Sequence, residues 1–286
     1  MSVRGDSKKR RGTGGAGSVA AHAFYVYCVG ERGALARLLE GELPAAIESG
    51  ASIDVIEGGE LAAVVSRVPL TDYDEDALQT RLKDAAWTAT RAMRHEQLVE
   101  YFAARTSVVP LRFGTIYFER TGVEQMLAER DAELRRIVER LRGREEWGVN
   151  VYCDRVKLRD KIASVSPRLR ELSEQAALAA PGQSYLLRKK IDAMRADELR
   201  AETKRVASEI EDALAAACEA VTRLRVLKEE ATEHGELVAK LAFLVERQRF
   251  DAFRDAAERL AAAHGDAGFQ IELTGPWPPY NFASGA

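Results

Sequence analysis

Apolar residues along this chain alternate between short, nearly unbroken runs and longer runs that repeat every three or four residues. The first short run, Ala23-Phe24-Tyr25-Val26-Tyr27-Cys28-Val29, stops at Gly30 and predicts a buried strand. A short helix over 34–40 follows, then strands over 53–56 and 61–65. Between those strands lies Glu57-Gly58-Gly59-Glu60, whose Gly-Gly pair is a hairpin signal. Leu78, Leu82, Ala85, Ala89, Ala92, Val99 and Ala103 form one stripe and predict a helix over 75–104, with Asp72 and Asp74 near its start. Thr106-Ser107-Val108-Val109 reads as a strand closed by Pro110. This order of strand, helix, hairpin, helix, strand is that of the split βαβ, or ferredoxin-like, motif. A helix over 123–141 and a strand through Trp147-Gly148-Val149-Asn150-Val151-Tyr152 complete the first half.

The stretch 154–182 is polar and carries Ser166-Pro167 and Pro181-Gly182, and the domain boundary is expected near its start. Beyond it, Leu187, Ile191, Met194, Val206, Ile210, Leu214 and Ala217 predict a helix over 184–217 without internal Gly or Pro. Strands over 221–227 and 237–245, a helix marked by Phe250, Phe253, Ala257 and Leu260, and a strand over 269–274 follow. The expected fold is α+β in two domains, 22–154 and 155–286. Each has a mainly antiparallel sheet with packed helices, and the long helix opens the second. Residues 1–21, basic and glycine-rich, are expected to be a disordered tail. The last residues, Gly275-Pro276-Trp277-Pro278-Pro279-Tyr280-Asn281-Phe282, hold three of the eight prolines. Proline lacks an amide donor and pushes the residue before it to extended geometry, so this end reads as a stiff aromatic arm. So apolar a terminus has to pack, and a clamp on the chain's own fold is favoured over a hook for partners.

Bulk composition narrows the function. At 286 residues, 46% apolar and 30% charged, with formal charge −3, the chain reads as a globular protein without the basic balance of a nucleic-acid binder. No apolar run is long enough to cross a bilayer, and no export signal is visible. Cys28, Cys153 and Cys218 are widely spaced and odd in number, which suggests reduced thiols in a cytoplasm, with Cys28 and Cys153 buried.

Signatures of catalysis are missing from the sequence. It contains no P-loop, HExxH or GxSxG, and no GxGxxG after a predicted strand. His95-Glu96 is the one pair resembling acid–base machinery, but neighbours on a helix point about 100° apart. A structural role is favoured: His95 packs or caps, and Glu96, a carboxylate on an apolar stripe, needs a partner. Arg112, between Leu111 and Phe113 in Val109-Pro110-Leu111-Arg112-Phe113-Gly114-Thr115, is the expected partner through a semi-buried ion pair. Gly114 marks a special backbone conformation or a close approach.

Taken together and in order, several segments resemble the gas vesicle GvpF/GvpL family. They are Tyr25-Val26-Tyr27, Val64-Val65-Ser66-Arg67-Val68-Pro69, Trp87, His95-Glu96, the 109–115 motif, Glu146-Trp147-Gly148-Val149, Ser184-Tyr185-Leu186, Ala242-Phe243-Leu244-Val245 and the 273–282 terminus. The likeness covers nearly everything beyond the tail. Asn150 stands where a lysine is common. The residues that carry it as structural motif are Glu96, Arg112, Phe113, Gly114, Trp147, Gly275, Pro276, Trp277, Pro278, Pro279, Tyr280 and Phe282. The resemblance implies two ferredoxin-like α+β domains and an accessory, non-enzymatic role in gas vesicle assembly, without cofactor or metal. It implies a cytoplasmic, vesicle-associated protein that binds the hydrophobic shell protein and other accessory proteins, with neither nucleic acid nor membrane as partner. The alternative is a minor structural constituent of the vesicle wall. A soluble partner can cover a shell subunit's apolar face until it is added. The long helix, exposed sheet edges and, after them, the arm are the candidate surfaces.

Overall fold

A computed structural model describes residues 22–226, 231–232 and 235–283; the basic tail lies outside the described residues. The chain forms two compact units, Met1–Gly143 with Pro278–Ala286, and Arg144–Trp277. The fold is α+β with two antiparallel sheets and packed helices.

In the first unit β1 (His22–Glu31) leads into α1 (Arg32–Leu39), and β2 (Ile53–Gly58) and β3 (Leu61–Pro69) form the hairpin turning at Gly59, φ +68°. Three helices follow: α2 (Leu70–Tyr73), α3 (Glu75–Arg81) and α4 (Ala85–Ala103). The single helix expected over 75–104 is therefore broken. Asp74 caps α3 by accepting from Ala77 N, and Asp84 caps α4 by accepting from Ala86 N and Trp87 N. That second cap competes with continued helix although the apolar stripe runs on through Leu82. β4 (Val108–Pro110), β5 (Ile116–Tyr117), α5 (Arg120–Glu129) and α6 (Asp131–Leu141) complete the unit, so the helix expected over 123–141 is also two. The sheet order is β2-β3-β1-β4, with β5 also pairing β1. Tyr25 and Tyr27 of β1 share a core with Leu35 of α1 and Leu98, Val99 and Phe102 of α4. α5 lies against β2 and β3, and α6 against β1 and β4.

The second unit begins with β6 (Arg144–Cys153), which pairs β9 and β10, so the division falls about one strand's length before the expected boundary, at Gly143 rather than at residue 154. The stretch read as a polar boundary is two helices, α7 (Arg155–Val165) and α8 (Pro167–Leu178). Asp154 caps α7, and Ser166-Pro167 is the N-cap and first residue of α8, where proline's missing N–H costs nothing. The long helix is thus α9 (Pro181–Ala215), third in its unit rather than first. β7 (Ala220–Leu224), β8 (Ala231–Thr232), β9 (Gly235–Glu246), a 3-10 turn, α10 (Phe250–His264) and β10 (Phe269–Trp277) follow. Residue 227, placed in the first of this strand pair from sequence, lies outside the described residues. The sheet order is β10-β6-β9-β7, with β8 pairing β9. Numbered by appearance, the main strands of both units run 4-1-3-2, the split βαβ order. Val149 and Val151, Leu158, Ile162, Leu169, Val206, Ile210, Leu241, Phe243 and Phe253 build this unit's core. Cys28 and Cys153 are buried thiols and Cys218 is half-buried.

Candidate functional site

Strand alternation puts Tyr25 and Tyr27 on one face of β1, and buried phenols need hydrogen-bond partners. Tyr27 finds them in Ser66 Oγ, at 2.7 Å, and Ile47 N, and Tyr25 in His95 of α4, itself fully buried. Tyr25 Oη lies 2.9 Å from His95 Nδ1 and accepts from Gly114 N at 3.0 Å. His95 Nε2 lies 3.1 Å from both the Leu111 carbonyl and Tyr280 Oη, and Tyr280 Oη donates to Glu96 Oε1 at 3.0 Å. One proton arrangement satisfies every group. Tyr25 donates to Nδ1, Nε2–H donates to the Leu111 carbonyl and faces Tyr280, and Tyr280 donates to the carboxylate. The imidazole is then the neutral Nε2–H tautomer. Burial points the same way, lowering the His95 pKa to about 4. Burial also raises the Glu96 carboxyl, against a lowering contribution from its bond to Tyr280. The imidazole stacks on Tyr27 and meets Tyr25 and Phe113 edge-on.

A second cluster holds the segment between α1 and β2 to α4. Arg91 donates to both oxygens of Glu48, at 2.7 and 2.9 Å, and lies 4.0 Å above the Trp87 ring. Tyr73 Oη donates to the same carboxylate at 2.6 Å, Arg94 donates to the Ile47 carbonyl, and Ile47 N donates to Tyr27 Oη. Bidentate, charge-assisted bonds of this kind are the strong ones.

The structure brings together Glu96, Phe113, Gly114 and Tyr280 but not Arg112. The Arg112 side chain is exposed, and its carbonyl accepts from Thr115 N and Oγ1. The expected Glu96–Arg112 pair does not form. The nearer cation in sequence lies outside the turn, whereas Tyr280 meets Glu96 from 184 positions away. Pro278, Pro279 and Phe282 are buried, with Arg140 over the Phe282 ring at 5.9 Å. Tyr280 N donates to the Pro278 carbonyl and Phe282 N to that of Pro279, so the arm ends in turns rather than running extended. The Tyr25–His95 link had a signal in sequence, two aromatic hydroxyls on one buried strand face, but nothing local named their partner.

The remaining motif residues belong to the second unit. Trp147 stacks on Phe250 at 4.1 Å, and its buried Nε1–H has no acceptor among the described residues. Gly275, at φ +120°, and Pro276 are exposed, joined by a cis peptide bond. Trp277 is 48% exposed and its Nε1 donates to Thr274 Oγ1, so it does not pack as the other two aromatics of the arm do. Between β6 and β10 a Cβ on Gly148 would stand 2.5 Å from Thr274 Oγ1. Gly148→Val should therefore lower stability by about 1–3 kcal/mol through overpacking; thermal unfolding within about 0.5 kcal/mol of wild type would mean that β10 shifts freely.

One end of the second unit stands apart. α8 and α9 pack as a helical hairpin joined at Ala179-Ala180, and beside that turn Leu178, Tyr185 and Leu186 are 90%, 58% and 65% exposed. Among the described residues no group of three or more His, Cys, Asp or Glu is placed to hold a metal ion, and no helix is long and apolar enough to cross a membrane.

The family model described as "Gas vesicle synthesis protein GvpL/GvpF" matches residues 23–284. Gas vesicle protein L of Streptomyces sp. (strain CB03234) is 31% identical over 91% of this chain and 92% of its own length. Gas vesicle protein F of the same strain is 30% identical over 80% and 87%. In three dimensions the chain is similar to the crystal structure of the gas vesicle protein GvpF from Anabaena sp. PCC7120, with TM-score 0.63 and 16% identity over 93% of this chain and 97% of that one. With the family model spanning residues 23–284, relatives 31% and 30% identical over most of both chains, and the same fold, the chain belongs to the GvpL/GvpF family of gas vesicle synthesis proteins.

Proposed function

We propose that the protein is a non-enzymatic accessory factor of gas vesicle assembly. It holds the hydrophobic shell protein in the cytoplasm, keeps its subunits soluble, and with other accessory proteins helps nucleate the vesicle. The observation that carries this reading is where the chain leaves its large apolar side chains. Tyr280 and Phe282 of the arm are taken up inside the first unit, while Leu178, Tyr185 and Leu186 face solvent at one end of the second. Contiguous exposed aromatic and aliphatic side chains mark interaction sites, and they suit a partner that must hide an apolar face until it is built in.

The test is to dilute shell protein from denaturant into the full-length protein and follow light scattering. Near-equimolar protein should suppress aggregation and co-purify with the shell protein. Unchanged scattering together with no co-purification would sink the reading. Tight retention on washed vesicles, with no effect on soluble shell protein, would instead favour a wall constituent.

A further inference from the structure

The end of the α8–α9 hairpin differs from the rest of the helical surface in charge as well as exposure. Residues 175–187, Gln-Ala-Ala-Leu-Ala-Ala-Pro-Gly-Gln-Ser-Tyr-Leu-Leu, contain no charged side chain, and Arg188, Lys189 and Lys190 follow directly. The stretch 175–190 thus holds three cations and no carboxylate, in a chain whose formal charge is −3. All three cations are exposed, and the nearest carboxylates along the two helices are Glu174 and Asp192. Farther along α9 the arginines are neutralised within the helix: Arg195 by Asp192, Arg200 by Asp197, and Arg205 by Glu202 and Glu209. Arg188, Lys189 and Lys190 have no such partner among the described residues. Lys189 lies 5.3 Å from the Tyr185 ring, which holds one cation at the edge of the apolar group.

We infer that this hairpin end is a docking surface for a protein partner whose apolar face is edged by carboxylates. The inference rests on the shell-binding reading above and names the contact within it. Leu178, Tyr185 and Leu186 supply the anchor, and the Arg188–Lys190 collar supplies orientation and encounter rate. A second copy of the chain would bring collar against collar, a like-charge approach. A membrane would favour an apolar stripe running along the helix, but the first exposed apolar positions that follow on α9 are the small residues Ala193 and Ala196, interspersed with exposed Asp192 and Asp197.

The experiment uses the full-length chain and two triple variants confined to exposed positions, L178S/Y185S/L186S and R188E/K189E/K190E, each checked for unchanged thermal unfolding. The probes are two labelled amphipathic helical peptides with the same leucine face, one edged by glutamate and one by lysine, and separately the shell protein. Wild type should bind the glutamate-edged peptide at least tenfold more tightly than its twin, less so in high salt. The serine variant should lose both peptides, the charge-reversed variant should invert the preference, and both should retain less shell protein. Equal binding of the two peptides overturns the inference. So does shell protein retained equally by wild type and both variants, which leaves the shell-binding reading standing. Wild type that shows the peptide preference but captures no shell protein keeps the surface and removes the reading. Flotation with phosphatidylserine vesicles, or self-association lost in both variants, would assign the surface to a membrane or to a second copy instead.

Discussion

Phe282→Ala is expected to remove about 3–5 kcal/mol from the stability of the first unit, and Trp277→Ala less than about 1 kcal/mol from either unit. The two rings stand five residues apart in one aromatic arm, yet Phe282 is 3% exposed and Trp277 48%. Truncating Phe282 withdraws a whole buried ring and leaves a cavity, whereas Trp277 gives up one hydrogen bond, to Thr274, on an open surface. Two units need not unfold together, so a single global transition would blur the contrast. Native-state hydrogen exchange resolves it. Amides of Leu98, Val99 and Phe102, which share the core with Tyr280, should lose protection in Phe282→Ala, while those of Leu241 and Phe243 should keep theirs. Similar effects of the two substitutions on the first unit would mean that the arm is not docked as described.

The arm also marks what could be read in sequence and what could not. Its apolar content announced that it packs, and Phe282 does so, but its prolines were read as ending the last strand near Thr274, whereas β10 runs on to Trp277. Nothing local indicated that Trp277 would end the last strand exposed, because the strand continues through an irregularity between Thr274 and Trp277. The β2–β3 hairpin was legible because Gly58-Gly59 between two apolar runs has few other uses. The helices α7 and α8 were not. Charges crowd their exposed faces, and their buried residues, Leu158, Ile162, Leu169 and Leu172, are spaced widely enough to pass for a linker. Ser166-Pro167 is equally compatible with a turn and with a helix start, and only the packed side chains decide. The partner of Glu96 failed for a different reason. Sequence reasoning chose the nearest cation in an apolar setting, but burial is satisfied by whichever donor the fold delivers, here a phenol from the other end of the chain. The long helix was a candidate surface from sequence, but its proposed docking end could not be delimited until α8 was recognised, because the turn that α8 shares with α9 exposes Leu178 beside Tyr185 and Leu186.

His95 should make the first unit acid-labile, and His95→Gln should remove most of that lability. An unfolded histidine titrates near 6.5, and in the folded protein burial lowers it to about 4. Between those values the unfolded chain binds a proton that the folded chain refuses, so stability falls as pH falls. The contribution is full above about pH 6.5. By pH 4 the loss amounts to about 3 kcal/mol, from a slope of about 1.4 kcal/mol per pH unit that flattens as the folded imidazole itself begins to protonate. Protonation also breaks the directed network, since an imidazolium cannot accept from Tyr25. Glu96 acts in the opposite sense. Its carboxyl is raised by burial, so its stabilising share is present at low pH and is lost as pH rises through the window above the ordinary carboxylate value. Because Glu96 is kept in both proteins, it largely cancels from their difference. Glutamine retains a donor and an acceptor but no proton to gain, so His95→Gln should cost about 1–3 kcal/mol at pH 7, and that deficit should shrink or reverse by pH 4. Hydrogen exchange corrected for intrinsic pH dependence, or urea unfolding read by a probe in the first unit, measures the difference directly. A deficit constant from pH 7 to pH 4 would show that folded His95 takes up a proton as readily as the unfolded chain does, and the reading of the imidazole as held neutral by burial between Tyr25 and Tyr280 would have to be abandoned.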